Sequence, residues 1–520
     1  MSARERQDRQ SDRKADYKRA VGVDELRRRR DTTLSQLRKE KRDDSLQKRR
    51  QMSAALSGLV VSSNSNSATA VAASDVGGAA ESSASVFEWT SDDWTRVSNL
   101  LHSEQAESVL SGMRELRVAL TTTDESPPVD ELLARDLVPR LAQCLLASDN
   151  LDLVFESAWV LTNVASCTGA APYAVVAAGV LPQCVRLLQD PNTPEQITDL
   201  LVWVIGNVAG EDAALRNVCL GESCLLALLQ LLTEDDLSPS LQRSVAWALS
   251  NMCRGAPTPD FAYIGPILPT LAHLLKSSDK QVVVDALWSF AHLLEHCDNA
   301  IRQAVVDCGV CSSFATLLAC KDVELVTPAV RAVGGVVSGS TEHTNAMLLA
   351  SPFPALKRLL ATKSKKLQLD LCWVLSNFTA GDEGQIQAVI DEGLISRVVE
   401  LMAPGVDFGV RREACWVVSN AIVGGDVAQV LEMVDEDVIE ALISTAQCSE
   451  PKVQVLSLDA LARVLEVGAI NEEEEGENVF KDMFEECGGL EMMNELFNAE
   501  NEQVSALVDK LLAHYDELTE

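Results

Sequence analysis

The chain has 520 residues, a formal net charge of −33, 47% hydrophobic residues and only 4% aromatic residues. Because this length exceeds what one compact core usually supports, several domains or a repeat array are expected, and the predominance of Ala, Leu and Val favours close-packed helices over sheets. The composition argues against a membrane span, which needs about 18 apolar residues without charge, and an acidic body argues against binding to nucleic acid.

The first residues are hydrophilic and charged, which is not typical of a secretory signal peptide. The chain has 14 cysteines, and several lie on apolar faces of predicted helices, among them Cys144, Cys184, Cys219, Cys372 and Cys415. We therefore expect reduced core thiols in an intracellular protein.

Residues 1–52 form a basic arm on this acidic chain. They contain 18 Lys and Arg residues against 10 Asp and Glu residues, so the arm carries +8 and the remainder carries −41. Few apolar residues interrupt the arm, which is therefore predicted to be disordered, or a fluctuating helix, without a partner. An acidic body attracts basic partners, and the nearest basic segment is the arm itself.

Three further segments follow the arm. Residues 53–86 are rich in Ser, Ala, Gly and Asn and predict a flexible linker with a random-coil reach of about 30–35 Å. Residues 87–465 have the pattern of amphipathic helices separated by Gly, Pro and Asp turns. Residues 466–520 contain the acidic run "NEEEEGEN", expected to be a solvated loop, and then a helical capping repeat.

The helical part repeats the motif W-x-x-x-N at intervals of 41–44 residues. The motif starts at Trp159, Trp203, Trp247, Trp373 and Trp416, and variants start at Trp288, with His292 in the fifth position, and at Arg331, with Gly335 there. This period with helices throughout is typical of armadillo or HEAT repeats. The predicted fold class is an all-α, armadillo-repeat, right-handed superhelical solenoid with a disordered basic N-terminal arm.

The positions of this motif, called the ladder below, predict a surface for a basic peptide. Residues i and i+4 share a helix face, so each motif presents an indole beside a carboxamide. Parallel indoles would form slots for the methylene stem of Lys or Arg, and a row of Asn side chains could pair with an extended backbone. One Trp is usually core and one Asn is usually a cap, but five buried Asn without partners would each cost about 1–3 kcal/mol. An exposed binding row is therefore favoured.

Acidic residues accompany the ladder at helical spacing. Asp285, Asp370 and Glu413 each precede a ladder position by three residues, and Glu211 follows Asn207 by four. These spacings place the carboxylates on the same helix face as the ladder, where they are expected to select the charged heads of Lys and Arg.

The arm and the ladder together resemble the importin-alpha family, the adaptors that carry classical nuclear localisation signals. The arm "KADYKRAVGVDELRRRRDTTLSQLRKEKRDDSLQKRR" is similar to the family's importin-beta-binding domain, and "ESAWVLTNVASCT", "WVIGNVAG", "WALSNMCRG", "RAVGGVVSG", "WVLSNFTAGD" and "CWVVSNAIVGG" are similar to successive family repeats. The resemblance implies a groove that binds basic signals, and an arm that links cargo to importin-beta and folds back into the groove when unbound.

The resemblance also implies the site residues. The major signal-binding site would comprise Trp159, Asn163, Trp203, Asn207, Glu211, Trp247, Asn251 and Asp285. The minor site would comprise Arg331, Asp370, Trp373, Asn377, Glu413, Trp416 and Asn420. Importin-beta would bind Arg27, Arg28, Arg29, Arg30, Arg38, Lys39, Lys41 and Arg42. Lys48, Arg49 and Arg50 would form the autoinhibitory cluster.

Five positions depart from the family pattern. The key lysine pocket has Glu211 where the family usually has Asp, and Cys167 and Pro172 align with the usual Gly and Thr. His292 replaces a usual Tyr, and Gly335 replaces a usual Asn. The resemblance then implies retained lysine selection in a reshaped pocket, and a weaker hold on the peptide backbone in the middle of the groove.

The partners implied are importin-beta, cargo proteins with monopartite or bipartite basic signals, a nuclear export receptor and, as further candidates, nucleoporins. Direct nucleic acid and membrane binding are not expected, and the protein would shuttle between cytoplasm and nucleus. No cofactor, metal ion or enzymatic activity is expected, since Cys308 and Cys311 lack a second ligand pair and no catalytic motif is present. The competing hypothesis is an armadillo scaffold in adhesion or cytoskeletal assembly, which needs neither the arginine arm nor the ladder.

Overall fold

A computed structural model describes residues 89–122, 128–146, 150–233, 237–295, 297–475, 478–497 and 501–517. Within these ranges the regular secondary structure is helical and no strand is present. The described residues belong to two compact units, an N-terminal unit that ends at Thr270 and a C-terminal unit that begins at Leu271. The basic arm and the linker, and with them every arm residue named above, lie outside the described residues.

The N-terminal half of the described chain contains thirteen helices. They are α1 Ser91–Leu101, α2 Ala106–Thr122, α3 Val129–Ala134, α4 Val138–Cys144, α5 Leu151–Ala165, α6 Ala170–Ala177, α7 Val180–Leu188, α8 Glu195–Glu211, α9 Ala213–Gly221, α10 Cys224–Leu231, α11 Pro239–Cys253, α12 Phe261–Ile264 and α13 Ile267–Leu274.

Sixteen α-helices and one short 3₁₀ helix, Glu400–Met402, follow in the described ranges. The α-helices are α14 Lys280–Glu295, α15 Asn299–Asp307, α16 Cys311–Leu318, α17 Val323–Val337, α18 Thr341–Leu348, α19 Phe353–Leu359, α20 Lys365–Thr379, α21 Glu383–Asp391, α22 Leu394–Val399, α23 Phe408–Gly424, α24 Val427–Met433, α25 Glu436–Ala446, α26 Pro451–Glu475, α27 Val479–Glu486, α28 Gly489–Leu496 and α29 Glu502–Glu517. None of these helices alone has the length and apolar character of a membrane span, although three bent helix pairs reach that level by length and composition.

The helices recur in threes, two short helices and then a long one, and the long helices from α5 to α23 carry the ladder. The long helices are α5, α8 and α11 in the N-terminal unit and α14, α17, α20, α23 and α26 in the C-terminal unit. Within each unit, consecutive long helices pack against one another. This packing confirms the all-helical armadillo fold expected from the period of the motif.

Local signals in the sequence set the helix ends. Asn150, Ser238 and Ser364 each accept a hydrogen bond from a first-turn backbone N–H and so cap α5, α11 and α20. Gly179 lies between the two short helices of one repeat with φ +72°, and Gly393 takes the same place with φ +61°. Glycine reaches this left-handed conformation without steric cost, so the predicted helix–glycine–helix turns are confirmed at these positions.

The acidic run at residues 472–475 was expected to be a solvated loop. In the structure it forms the last turn of α26. Two causes favour the helix here. Glu is a good helix former, and the run continues the long helix α26, which is itself stabilised by packing against α29.

All 14 cysteines are free thiols. Cys144, Cys184, Cys219, Cys372 and Cys415 are buried in the apolar core, as expected from their positions on apolar faces. Burial raises the pKa of the Cys144 and Cys372 thiols, so these groups stay protonated and act as small apolar side chains.

A fully buried arginine joins two repeats of the N-terminal unit. Arg216, in α9, donates hydrogen bonds to the carbonyl oxygens of Arg254 (2.7 Å), Gly255 (3.0 Å) and Pro257 (2.8 Å), which follow the end of α11. Backbone carbonyls beyond a helix end need donors when they are buried. Arg216 therefore holds the connection after α11 in place.

Replacing Arg216 by Met is expected to lower the free energy of unfolding by roughly 2–3 kcal/mol, because three carbonyl groups lose their charged donor while the apolar stem is kept. The measurement is chemical denaturation followed by circular dichroism. Arg186→Met is the matched control, since Arg186 is exposed and its Nε donates only to Gln183 in its own helix. Equal losses for the two variants would contradict the role given to Arg216.

Candidate functional site

The ladder side chains of the N-terminal unit differ in how far they reach solvent. Trp203, Asn207, Trp247 and Asn251 are half-buried, whereas Trp159 is fully buried. The binding row predicted from the sequence is therefore open at the two later repeats of this unit and covered at the first.

The indoles of Trp203 and Trp247 are in contact, with ring centroids 4.3 Å apart and an interplanar angle of 34°. A methylene stem between two rings needs van der Waals contact on both faces, at about 3.5–4.0 Å each. The slot predicted between these two indoles is therefore closed in this structure. A lysine stem enters it only when the rings move apart.

A column of small residues, which the sequence analysis did not single out, lets the indoles approach the helix of the preceding repeat. A Cβ atom on Gly206 would lie 2.3 Å from the Trp247 ring, and one on Gly334 would lie 2.0 Å from the Trp373 ring. The same register, three residues after each of the seven ladder starts, holds only small side chains: Thr162, Gly206, Ser250, Ala291, Gly334, Ser376 and Ser419. The recurrence of small residues at this position was the signal available in the sequence.

Three of the five ladder Asn side chains are fixed by hydrogen bonds to the preceding repeat. The Nδ2 of Asn207 donates to the carbonyl of Thr162 (3.3 Å), that of Asn251 to Gly206 (3.0 Å) and that of Asn420 to Ser376 (3.2 Å). In each case the acceptor lies one residue before the preceding ladder position. A carboxamide held by one N–H keeps its oxygen and its second N–H for another partner.

The expected row of five exposed Asn side chains is only partly present. Asn207 and Asn251 are half-buried and accessible, whereas Asn163, Asn377 and Asn420 are buried. Asn377 donates to the carbonyl of Trp373 in its own helix (2.7 Å). The helical spacing alone could not predict this burial, because it depends on the tertiary packing around each side chain.

Glu211 lies at the end of α8 against the turn that follows α5. Its Oε1 accepts a hydrogen bond from the backbone N–H of Gly169 (3.2 Å), and Gly169 has φ +80°. In that turn the Sγ of Cys167 donates to the carbonyl of Asn163 (3.4 Å). The structure thus places a half-buried carboxylate beside the turn that contains Cys167.

A second carboxylate, that of Asp212, lies next to Glu211 and is bonded to an exposed tyrosine. The corner is the name used here for Glu211, Asp212 and the turn that contains Cys167 and Gly169. The Tyr173 hydroxyl donates to Asp212 Oδ2 (2.6 Å), and this hydrogen bond is the main cause that raises the pKa of the tyrosine. Asp212, the residue after Glu211, also caps α9 by accepting from Leu215 N–H (2.9 Å). The corner therefore has a negative potential.

The other ladder carboxylates do not face solvent as expected. Asp285 is buried and accepts a hydrogen bond from Gln281 (3.1 Å), and Glu413 is completely buried beside Arg412, with 3.3 Å between the nearest nitrogen and oxygen. Both lie about one turn before a ladder residue on their own helix, and both are buried there. These two carboxylates do not project from the surface to meet the charged head of a ligand.

In the C-terminal unit, the chain's own arginine covers an indole. The guanidinium of Arg331 lies 5.6 Å from the centroid of the Trp288 ring, and its Nε is 3.4 Å from Asp370 Oδ2. The ring of His292 stacks on the same indole, with 5.6 Å between the ring centroids. A cation–π contact and an ion pair therefore fix Arg331 at this position.

The structure explains Gly335 at the fifth position of the Arg331 variant. A Cβ atom there would lie 2.5 Å from the Cβ of Leu294. An Asn side chain would overlap that leucine, so the absence of a carboxamide at this position follows from local packing.

Farther along the C-terminal unit, Trp373 and Trp416 are half-buried ladder indoles. Each stands on a long helix, and α20 and α23 pack side by side. With Asn377 and Asn420 buried beneath them, the indoles are the more accessible part of the ladder here.

A covered indole in the N-terminal unit involves residues that the sequence analysis missed. Arg117 in α2 places its guanidinium 5.3 Å from the centroid of the Trp159 ring, and its Nε donates to Glu156 Oε2 (2.7 Å). Arg114 approaches the other oxygen of this carboxylate (3.5 Å). Burial nevertheless raises the pKa of Glu156 above its ordinary value, which the two arginines only partly offset.

Comparisons with known proteins agree with this architecture. Residues 13–114 match the family described as "Importin beta binding domain", and residues 382–422 match "Armadillo/beta-catenin-like repeat". Importin subunit alpha-1a of Oryza sativa subsp. japonica is 33% identical over 76% of this chain and 75% of its own length. Importin subunit alpha-4 of Arabidopsis thaliana is 32% identical over 80% and 77%, respectively.

Among solved structures, the crystal structure of an engineered protein matches with a TM-score of 0.72 at 24% sequence identity, covering 82% of this chain and 99% of that one. This likeness concerns the fold.

Gly206→Ala is expected to push the Trp247 ring away and to lower the free energy of unfolding by about 1–3 kcal/mol, despite the better helix propensity of Ala. Denaturation and near-ultraviolet circular dichroism of tryptophan measure the two effects. Gly221→Ala is the control, because a Cβ atom there meets no atom within 4 Å. An unchanged tryptophan spectrum in Gly206→Ala would show that the close approach does not position the ring.

Proposed function

The chain belongs to the importin-alpha family, and from this premise we propose that it is a nuclear import adaptor that binds basic localisation signals of cargo proteins on its ladder. Members of this family are transport adaptors and not enzymes. The domain division proposed is an importin-beta-binding arm at 1–52, a linker at 53–86, signal-binding armadillo repeats at 87–465 and a C-terminal acidic and capping segment at 466–520.

One observation carries the proposal for the major site: two accessible carboxamides, already oriented by bonds to the preceding repeat, stand beside two accessible indoles. Asn207 and Asn251 lie next to Trp203 and Trp247 on adjacent long helices, and Glu211 supplies a carboxylate at the end of the first. Preorganised donors and acceptors lower the entropy lost when an extended backbone binds. Trp159 and Asn163 are the buried members of this site in the N-terminal unit. Asp285, which the resemblance also assigns to it, is buried within the C-terminal unit.

The closed indole pair implies how a lysine would enter. Because the rings of Trp203 and Trp247 touch, a stem between them requires one ring to leave its rotamer. We infer that binding of a basic residue at this position is coupled to movement of an indole, and that an apolar stem replaces the lost ring contact. Electrostatic selection of the cation then comes from Glu211 and its acidic neighbour Asp212.

The minor site is proposed on Trp373 and Trp416, with Asn377 and Asn420 beneath them and with Asp370, Glu413 and Arg331 nearby. In this site the carboxamides and Glu413 are buried, whereas the two indoles are half-buried. Recognition there would use the indole faces more than the amides.

The arm is proposed to bind importin-beta through Arg27, Arg28, Arg29, Arg30, Arg38, Lys39, Lys41 and Arg42, and to occupy the major site through Lys48, Arg49 and Arg50 when importin-beta is absent. Support comes from the match of residues 13–114 to the importin-beta-binding family and from the opposite charges of arm and body. We further propose that the protein shuttles between cytoplasm and nucleus. A nuclear export receptor and nucleoporins are proposed as additional partners.

Asn207→Ala is expected to weaken binding of a basic signal peptide by about tenfold, because it removes two hydrogen-bonding groups that face the peptide backbone. Isothermal titration calorimetry with the full chain measures the affinity. The matched control is Asn192→Ala, an exposed Asn in the same unit that bonds only to Asp190. If both variants bind the peptide as the unchanged chain does, the proposed site is wrong.

Autoinhibition is tested in the full chain by replacing Lys48, Arg49 and Arg50 together with Ala. Affinity for a basic signal peptide is expected to rise by about tenfold, because the linker otherwise keeps the cluster at an effective concentration in the millimolar range.

The control replaces Arg4, Arg6 and Arg9 with Ala, which removes the same three charges from the arm outside the proposed clusters. An equal rise in both triple variants would attribute the effect to net charge, and no rise in either would reject autoinhibition.

A further inference from the structure

The helix α6 brings one polar side chain to the corner, that of Tyr173, to which neither the ladder motif nor the resemblance assigned a role. The other residues of α6 are Ala, Val and Pro. Tyr173 is 46% exposed, whereas Pro172, which the resemblance placed in the lysine pocket, is buried. A ligand that reaches the corner from solvent therefore meets the phenol of Tyr173 and not the proline ring.

The hydroxyl proton of Tyr173 is directed to Asp212. The phenol donates to Asp212 Oδ2 (2.6 Å), and Asp212 is itself held in place because its Oδ1 accepts from the backbone N–H of Leu215 (2.9 Å). The hydrogen bond to Asp212 is the main cause that raises the pKa of Tyr173, and the negative charges of Asp212 and Glu211 act in the same direction. The phenol therefore keeps its proton at neutral pH.

This hydrogen bond gives the phenol oxygen of Tyr173 a fixed role. A hydroxyl has one donor and two acceptor lone pairs, and here the donor faces Asp212. What the oxygen offers to a ligand is therefore acceptor capacity. A hydroxyl that donates to a carboxylate is also polarised, so its oxygen accepts a further hydrogen bond more strongly. The Tyr173 oxygen is thus suited to a ligand that carries a donor and a positive charge.

Glu211 supplies a second acceptor from a different helix. Its Oε1 accepts from the backbone N–H of Gly169 (3.2 Å), which holds the carboxylate at the end of α8. A carboxylate has about four lone-pair sites, so it can accept from Gly169 and from a ligand at the same time. The ammonium of a lysine carries three donors on one nitrogen. It can therefore donate to the Glu211 carboxylate and to the Tyr173 oxygen together.

We propose that Tyr173 is a specificity-determining residue of the major site, and that its phenol oxygen accepts a hydrogen bond from the ammonium of the peptide lysine that pairs with Glu211. Asp212 acts through Tyr173, because it orients and polarises the hydroxyl. The ligand is a basic peptide with a lysine at the position that faces the corner. This inference rests on the proposed function, which assigns Glu211 to the site for basic peptides.

The first test uses the full chain labelled with 3-fluorotyrosine, whose four resonances are followed by ¹⁹F NMR and assigned with single Tyr→Phe variants. The chain is saturated with a basic signal peptide, or with the same peptide in which one lysine at a time is replaced by norleucine, which keeps the stem and removes the ammonium. The Tyr173 resonance is expected to differ between the parent complex and one norleucine complex, while that of Tyr263 stays in place. Identical Tyr173 resonances in all complexes would overturn the inference.

The second test removes the hydroxyl with Tyr173→Phe, which keeps the ring. Isothermal titration calorimetry gives the ratio of affinities for the parent peptide and each norleucine peptide, on the unchanged chain and on the variant. At one lysine position this ratio is expected to be about fivefold smaller in the variant, because the ammonium there has lost an acceptor. The ratios at the other lysine positions are expected to stay as they are.

The matched control is Tyr263→Phe, since Tyr263 is a similarly exposed tyrosine (54%) of the same unit, in α12. Its ratios are expected to match those of the unchanged chain. If the ratios of Tyr173→Phe match them as well while the peptide still binds, the inference is wrong and the proposed function stands. No binding of any peptide to the unchanged chain would reject both. Competition by residues 1–52 cancels, because every ratio compares two peptides on one protein.

Discussion

The approach of each indole to the helix of the preceding repeat is the constraint on which the ladder depends. Where that helix offers Gly206 or Gly334, the next ring lies so close that a methyl group could not be inserted. This contact sets the distance between neighbouring long helices, brings Trp247 onto Trp203, and places Asn251 within reach of the carbonyl of Gly206. Packing and recognition chemistry therefore share one set of atoms.

The period of the motif was sufficient to predict the helical repeats, and the resemblance carried by the arm and ladder was sufficient to predict the family. Spacing along one helix also predicted which side chains share a face. It could not predict depth, because depth depends on the neighbouring helix: Asp285 and Glu413 share the ladder face and are nevertheless buried. The distance between the Trp203 and Trp247 rings could not be predicted from the sequence pattern either, because it depends on the contact of Trp247 with Gly206.

Arg117 illustrates a different limit of sequence reasoning. It lies 42 residues before Trp159 and belongs to no repeated motif, so only the packing of α2 against α5 reveals the contact. Together with Arg331, it shows that an acidic chain can neutralise buried carboxylates with its own guanidinium groups while leaving its surface negative. The charge that a ligand meets is then a property of particular repeats and not of the net charge.

The hydrogen bonds from Asn207, Asn251 and Asn420 to the repeat before each of them also bear on how such an array can be recombined. Each carboxamide is encoded in one repeat and oriented by the backbone of another, so the functional module straddles two sequence repeats. Exchanging a single repeat between related proteins would separate an amide from its carbonyl at one junction. Grafting two consecutive long helices together would keep the module intact.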